Sequence, residues 1–187
     1  MLNRWTVSLM LLLCITSGVA QMPDGWMPPE RVAQLSFDHE FARIGGRELR
    51  WGGTAGVEWL RKSPRLAIRG LESAYPQQLF ATRWISTWRD GVGVNILLLQ
   101  LGIKYTGLGA SMNGWYIELG SGIAVSDGTT FDMNSQFNFA SYAGFGFWVR
   151  DLPNWMLGTR ITHISNGGTK PPNRSMNLLQ VIIGYSF

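Results

Sequence analysis

The sequence predicts an all-β fold, an eight-stranded antiparallel transmembrane β-barrel, and three observations support this prediction. Apolar residues alternate with small or polar residues over most of the chain after residue 50, which is the period of a strand. Charged residues make up 15% of the 187 residues, against about 25% in soluble domains, while glycine and tryptophan are abundant. The chain also ends in an aromatic residue, Phe187, that continues the alternation.

Residues 1–20 are predicted to be a secretory signal peptide. Arg4 supplies a positive start, and Val7 to Val19 form a mostly apolar core that ends in small residues before Ala20. This apolar run is shorter than the ~20 residues that a transmembrane helix needs. We therefore expect an exported protein that is cleaved after Ala20.

Residues 21–187 are predicted to form the outer-membrane β-barrel domain, after a Pro-bearing lead-in over Met22 to Pro29. The only cysteine, Cys14, lies within the signal, so disulfides are not expected in the mature chain. Removal of the signal lowers the formal net charge from +4 to +3. This mild basic bias suits an anionic lipid surface and is too weak to indicate a nucleic-acid partner.

Five segments alternate clearly, with apolar residues on one face and small or polar residues on the other. They are Trp51–Trp59, Phe80–Trp88, Val94–Tyr105, Trp115–Val125 and Ser135–Arg150. Two weaker strand candidates are Leu35–Arg43 and Arg65–Leu71. A membrane strand needs ~9–11 residues of this pattern, with aromatics near both interfaces.

A soluble barrel or sandwich, with its apolar face turned inward, is the alternative. The polar face argues against it, because Lys104, Glu118 and Arg150 stand there among many glycines, as in a narrow filled lumen. The apolar face carries more bulky aromatic residues than a small interior could hold.

The last strand adds a further indication of an outer-membrane barrel. Its alternate residues Leu179, Val181, Ile183, Tyr185 and Phe187 resemble the strand that outer-membrane barrels present to their assembly machinery.

The two histidines receive different interpretations. His39, in a polar patch near the start of the barrel, is expected to be a solvated residue at the membrane edge. His163 and Ser165 share a face of their strand, roughly 7 Å apart, and a base beside a hydroxyl is what acyl transfer requires. Because Arg160 must point into the lumen, both should face lipid, where polar groups are costly and usually functional.

The segment His163 to Gly168, followed by Pro172-Asn173 and the last strand, resembles the lipid A 3-O-deacylase (acyloxyacyl hydrolase) family. The resemblance implies an eight-stranded barrel of the cell outer membrane. It also implies hydrolysis of the ester-linked acyl chain at position 3 of lipid A, by a Ser-His-Glu triad on the lipid-facing wall. Lipopolysaccharide would be the substrate, outer-membrane lipids and the barrel assembly machinery would be partners, and a homodimer is left open.

Carried over residue by residue, the resemblance implies that His163 is the base and Ser165 the nucleophile. It implies that Asn166 and the Gly168 N–H serve the oxyanion hole, and that Asn173 matches the family's second loop asparagine. Asn177 stands where the family has a glutamate. That departure leaves three alternatives: a slower enzyme, an acid supplied from elsewhere, or loss of catalysis.

No metal and no cofactor are expected, since clusters of His, Asp and Glu with ligand spacing are absent from the sequence. Two other functions remain open. One is a non-catalytic small outer-membrane barrel with a structural or adhesive role. The other is an outer-membrane acyltransferase, which would need an acyl-chain pocket in the lumen.

Overall fold

The protein is a closed, eight-stranded antiparallel barrel in which every strand pairs with its neighbours in sequence and β1 pairs with β8. The computed structural model describes residues 22, 25–40, 50–70, 73–89, 91–108, 114–129, 134–171 and 175–187. The strands are β1 (Arg31–Glu40), β2 (Trp51–Lys62), β3 (Tyr75–Arg89), β4 (Val92–Thr106), β5 (Trp115–Ser126), β6 (Phe137–Val149), β7 (Leu152–Ser165) and β8 (Met176–Ser186). The predicted fold class and strand number are confirmed.

The weaker strand predictions had mixed outcomes. The candidate at Leu35–Arg43 overlaps β1, which begins earlier, at Arg31. The candidate at Arg65–Leu71 is wrong, because this region holds a short 3₁₀ helix, Pro64–Leu66, followed by a turn. Pro64 suits the first position of a helix, where its missing N–H leaves no hydrogen bond unmade. No helix among the described residues is long and apolar enough to cross a bilayer.

The outer wall is apolar and rich in aromatic residues, as the alternation predicts. Outward positions on β2 and β3 carry Trp51, Trp59, Phe80, Trp84 and Trp88, and all five are exposed. In water, a continuous apolar surface of this extent would drive association. Around a barrel with a polar interior, it is the surface that hydrocarbon solvates. The molecule is therefore a membrane-spanning barrel.

The centre of the lumen is filled by five charged side chains, all almost fully buried. Glu58 accepts hydrogen bonds from Arg83 at 2.5 Å, Lys104 at 2.6 Å and Arg160 at 2.9 Å. Glu118 lies 3.0 Å from Lys104 and 2.5 Å from Arg160. Burying charge requires this kind of mutual compensation. The predicted lumenal positions of Lys104, Glu118 and Arg160 are confirmed.

Two tyrosines pack against these cations and account for several inward-facing glycines. The Tyr116 ring centroid lies 4.6 Å from Lys104 Nζ, and the Tyr142 ring centroid lies 4.8 Å from Arg83 Cζ. A Cβ atom added at Gly102 or Gly120 would collide with the Tyr142 side chain. The glycines on the inner face therefore make room for the tyrosine rings.

One predicted lumenal residue lies elsewhere. Arg150 is exposed in the tight turn between β6 and β7, because β6 ends at Val149 before the alternation would carry Arg150 inward.

An even number of strands puts the start of β1 and the end of β8 at one rim, which we call the terminal rim. The opposite rim, which holds the β7–β8 turn, is the far rim. The lead-in residues Met22 and Trp26 pack against buried side chains near the terminal rim.

Candidate active site on the outer wall

His163, Ser165 and Asn177 all lie on the outer face of the barrel near the far rim. His163 and Ser165 stand at outward positions of β7, and each is half-buried between more exposed apolar neighbours. Asn177 stands at an outward position of β8, directly opposite His163 in the strand register. This arrangement follows from the period of two, because the inward positions of β7 are taken by Arg160, Thr162 and Ile164.

The side chains of His163 and Asn177 are hydrogen-bonded. Asn177 Oδ1 lies 2.8 Å from His163 Nδ1. An amide oxygen can only accept, so Nδ1 carries the proton and the neutral ring keeps Nε2 as its acceptor. This is the tautomer that a histidine needs in order to take a proton from a nucleophile.

Two serine hydroxyls flank His163. Ser165 follows it by two residues on β7, roughly 7 Å away along the strand. No hydrogen bond joins Ser165 to His163 among the described residues. Ser141 on β6 pairs directly with His163 in the register and is exposed on the outer face. Directly opposed residues on neighbouring strands have Cβ atoms ~4.5–5.5 Å apart. Sequence reasoning missed Ser141, although a polar residue in the middle of the apolar face of β6 was the signal.

The turn after Ser165 is organised by Asn166, whose side chain is fully buried. Asn166 Oδ1 accepts a hydrogen bond from the Gly168 N–H at 2.9 Å, and Asn166 Nδ2 donates to the Lys170 carbonyl at 2.5 Å. Gly167 and Gly168 have φ values of +66° and +79°, which residues with a Cβ adopt only at a cost. The two groups predicted for the oxyanion hole are thus bonded within the turn. Asn173 lies outside the described residues.

Behind the site, an inward-facing network ties four strands together. Thr162 on β7 donates to Gln180 on β8 at 2.6 Å. The Gln180 amide donates in turn to Asp38 on β1 at 3.1 Å and to Thr54 on β2 at 2.9 Å. Ser36 and Thr54 both donate to Asp38 as well. These bonds hold β7 and β8 in register beneath His163 and Asn177, and sequence reasoning did not identify them.

No carboxylate is hydrogen-bonded to His163 in the part of the chain that the structure describes. The nearby acids of β1, Asp38 and Glu40, are buried on the lumen side of the wall. Glu48, Asp90 and Asp132 lie outside the described residues. In this structure the group that orients the imidazole is therefore the Asn177 amide.

His39 lies on the outer face of β1, half-buried, with its ring edge-to-face against Trp51 at a centroid distance of 3.9 Å. It pairs with Leu179 of β8, two residues beyond Asn177. The structure thus brings His39 to the strand next to the site but not into contact with His163, since β8 lies between β1 and β7.

The structure is a membrane barrel whose lipid-facing wall carries a hydrogen-bonded His–Asn pair beside two serines. These features define a class of protein: membrane barrels with a polar site on the lipid-facing wall. Comparisons with known proteins agree with this class. The family model described as lipid A 3-O-deacylase (PagL) matches residues 51–186. This match covers most of the chain, and the chain belongs to the lipid A 3-O-deacylase (PagL) family.

Two individual proteins illustrate the likeness. A curated Bordetella bronchiseptica protein, lipid A deacylase PagL, is 36% identical over 76 residues. That stretch covers 39% of this chain and 42% of the relative, less than half of its length. The crystal structure of the outer membrane enzyme PagL matches with a TM-score of 0.59 at 20% identity. It covers 83% of this chain and 100% of that one, which shows a common fold.

Proposed function

We propose that this protein hydrolyses the ester that links the acyl chain at position 3 of lipid A, with Ser165 as nucleophile and His163 as general base. The observation that carries the proposal is the His163–Asn177 hydrogen bond of 2.8 Å on the outer wall. A lipid-facing position has no structural need for a histidine held in one tautomer, and polar groups at membrane depth are usually functional. Membership of the lipid A 3-O-deacylase family supports the same reaction.

The reaction follows from the chemistry of the groups. His163 Nε2 takes the Ser165 hydroxyl proton as the oxygen attacks the ester carbonyl, and the resulting imidazolium then protonates the sugar oxygen as it leaves. The acyl group remains on Ser165 until a water molecule, deprotonated by Nε2, releases it as a fatty acid. The products are a free hydroxyl at position 3 and one carboxylic acid.

The negative oxygen of the tetrahedral intermediate needs donors, and Asn166 Nδ2 and the Gly168 N–H are the proposed ones. Both are bonded within the turn, to Lys170 O and to Asn166 Oδ1. Oxyanion binding therefore requires these donors to exchange their present acceptors for the substrate oxygen. Asn173 is proposed as an additional contact on the strength of the family resemblance alone.

The location of the site suits a lipid substrate. An ester linkage lies at the boundary between the sugar headgroup and the hydrocarbon. A site on the outer wall near one rim is reached by a lipid that moves within its own leaflet. We propose that the far rim faces the outer leaflet, where lipid A resides.

The test is release of 3-hydroxy fatty acid from lipid A, followed by mass spectrometry, for wild type, Ser165→Ala, His163→Ala and Ser141→Ala. We expect Ser165→Ala and His163→Ala to lose several orders of magnitude in rate, because removing either the nucleophile or its base disables the pair. Ser141→Ala is the matched control, a second outward serine beside His163. Each variant should still show the heat-modifiable gel migration of a folded barrel. Full activity in Ser165→Ala together with loss in Ser141→Ala would show that the nucleophile was assigned to the wrong strand.

One observation favours a second candidate function. The amide of Asn177 cannot stabilise an imidazolium by charge, and in a serine protease the Asp→Asn change costs about 10⁴ in turnover. A non-catalytic barrel with a structural or adhesive role is therefore the runner-up. Wild-type release no greater than that of Ser165→Ala would favour it. The acyltransferase alternative gains no support, because charged side chains occupy the lumen where its acyl-chain pocket would have to lie.

Several expectations about export and assembly accompany this proposal. The exposed outward residues of β8, from Leu179 to Tyr185, support recognition of this strand by the barrel assembly machinery. Signal-peptide cleavage after Ala20 stays a prediction, since residues 1–20 lie outside the described residues. Homodimer formation likewise stays a prediction.

A further inference from the structure

Residues 63–70, which follow β2, fold back over the outer wall near the terminal rim. Tyr105 occupies an outward position of β4, where the alternation predicts exposure to lipid, yet it is only 4% exposed. Its hydroxyl donates a hydrogen bond of 2.7 Å to the carbonyl of Leu66 in the 3₁₀ helix. This segment, residues 63–70, therefore covers part of the wall instead of extending away from the rim.

A groove of about 540 Å³ lies between the covering segment and the barrel. Its apolar lining includes Trp59, Phe80, Leu101 and Ile103 from the wall and Leu66 from the covering segment. The rings of Trp59 and Phe80 lie 5.4 Å apart. This volume falls within the ~300–1,000 Å³ of typical ligand pockets. The groove can therefore hold an acyl chain along more of its length than a bare barrel wall could.

The polar edge of this groove is strongly basic. Arg61 lines the groove itself, and Lys62, Arg65 and Arg69 follow on the exposed segment. Residues 61–70 contain these four basic side chains and no acidic one. Cations beside apolar surface at the membrane interface are the arrangement that attracts anionic lipid headgroups.

We propose that this groove binds one anionic glycerophospholipid of the periplasmic leaflet, with an acyl chain against Trp59, Phe80 and Leu101 and its phosphate near Arg61 and Arg65. The assignment of the terminal rim to the periplasmic side rests on the proposed function, which has the candidate active site at the opposite rim. Charge selects the occupant. A zwitterionic lipid offers the same acyl chains but no net negative charge.

The test uses native mass spectrometry of the purified barrel in detergent micelles, titrated with phosphatidylglycerol or with phosphatidylcholine of identical acyl chains. Wild type should retain one phosphatidylglycerol in preference to phosphatidylcholine. Arg61→Gln with Arg65→Gln should weaken phosphatidylglycerol retention by roughly fivefold for each cation removed. Arg150→Gln is the matched control, an exposed cation in the β6–β7 turn on the other side of the same rim, and should retain wild-type binding.

A second variant tests the groove independently of charge. Leu101 is 67% exposed on the wall, so Leu101→Trp should fold and should fill the groove, with loss of retention of both lipids. Equal retention of the two lipids by wild type, or an equal loss in Arg150→Gln, would overturn the proposal. Lipid retention is measured without lipid A and requires no hydrolysis. Failure of lipid binding is therefore distinguishable from failure of the deacylation proposal.

Discussion

Under the proposed mechanism, Asn177 limits how fast the candidate site can hydrolyse its ester. Its amide oxygen fixes the Nδ1–H tautomer of His163, and so it supplies the orientation that a triad acid would supply. It does not supply the negative charge that would offset the imidazolium of the proposed mechanism, in which Ser165 attacks the ester. Orientation and charge compensation, which a carboxylate provides together, are thus separated in this protein.

Replacing Asn177 by glutamate should therefore raise the rate of deacylation, by ~10²-fold or more given the cost of the reverse change in a protease. The cost in stability should be small, because the residue is only half-buried near a rim. Asn177→Gln is the matched control, with the length of glutamate and no charge. Release of 3-hydroxy fatty acid by the two variants and wild type is the measurement.

The control separates charge from length. An equal rise in the rate of Asn177→Gln would mean that the length of the side chain, and not its charge, limits the deacylation rate of the wild type. A wild type that is fast and is slowed by Asn177→Glu would mean that another acid already serves His163.

The turn that follows β7, residues 166–171, is the element on which the proposed oxyanion hole depends. Gly168 has a φ of +79°, and its N–H holds the buried Asn166 side chain in place. An L-residue in this conformation costs about 1–2 kcal/mol, although asparagine tolerates it better than alanine does.

Gly168→Ala should therefore lower the deacylation rate by ~5- to 30-fold, because the strain depopulates the turn conformation that positions Asn166. Gly168→Asn should lower it less. The expected effect is conformational and not steric, since an added Cβ at this position would meet no atom within 4 Å. The measurement is the rate of each variant together with its heat-modifiable migration, which should be unchanged. Equal rates for the two variants would show that backbone conformation at Gly168 does not govern the site.

Among the structural elements around the site, the strands could be predicted from the sequence and the turns could not. The period of two located the faces of β7 and predicted that His163 and Ser165 would face lipid. It could not predict that Tyr105 is buried, because the covering segment shields an outward position through contacts that are distant in sequence. Nor could it predict the bonds of Asn166, since turn hydrogen bonds leave no periodic pattern.

The whole barrel depends on the charged cluster in its lumen. Glu58 is the most connected member, with three cations within 2.9 Å. Removing one partner of a buried ion pair leaves uncompensated charge, at a cost of about 3–5 kcal/mol. The pattern of the sequence indicated a polar lumen, but the pairing of residues from five different strands depends on barrel closure and could not be read from it.

Glu58→Gln, which keeps the shape of the side chain, should lower the free energy of unfolding by about 3–5 kcal/mol. Urea titration in detergent micelles, followed by tryptophan fluorescence, measures this change. Arg150→Gln removes an exposed charge and should stay within about 0.5 kcal/mol of wild type. A Glu58→Gln barrel as stable as wild type would show that the remaining members compensate one another without it.

The distribution of these charges along the chain has a consequence for how the barrel is built. The β2–β3 hairpin carries Glu58 and Arg83, and the β4–β5 hairpin carries Lys104 and Glu118, so the cluster charges within each of these hairpins sum to zero. Arg160 on β7 arrives without an acid of its own. Its guanidinium contacts Glu118 and Glu58, and reaches Gln34 on β1 at 3.2 Å. The last cation of the cluster in chain order thus donates a hydrogen bond to a residue of the first strand. This bond can form only when β1 and β8 have paired, so it ties the charged cluster to closure of the barrel.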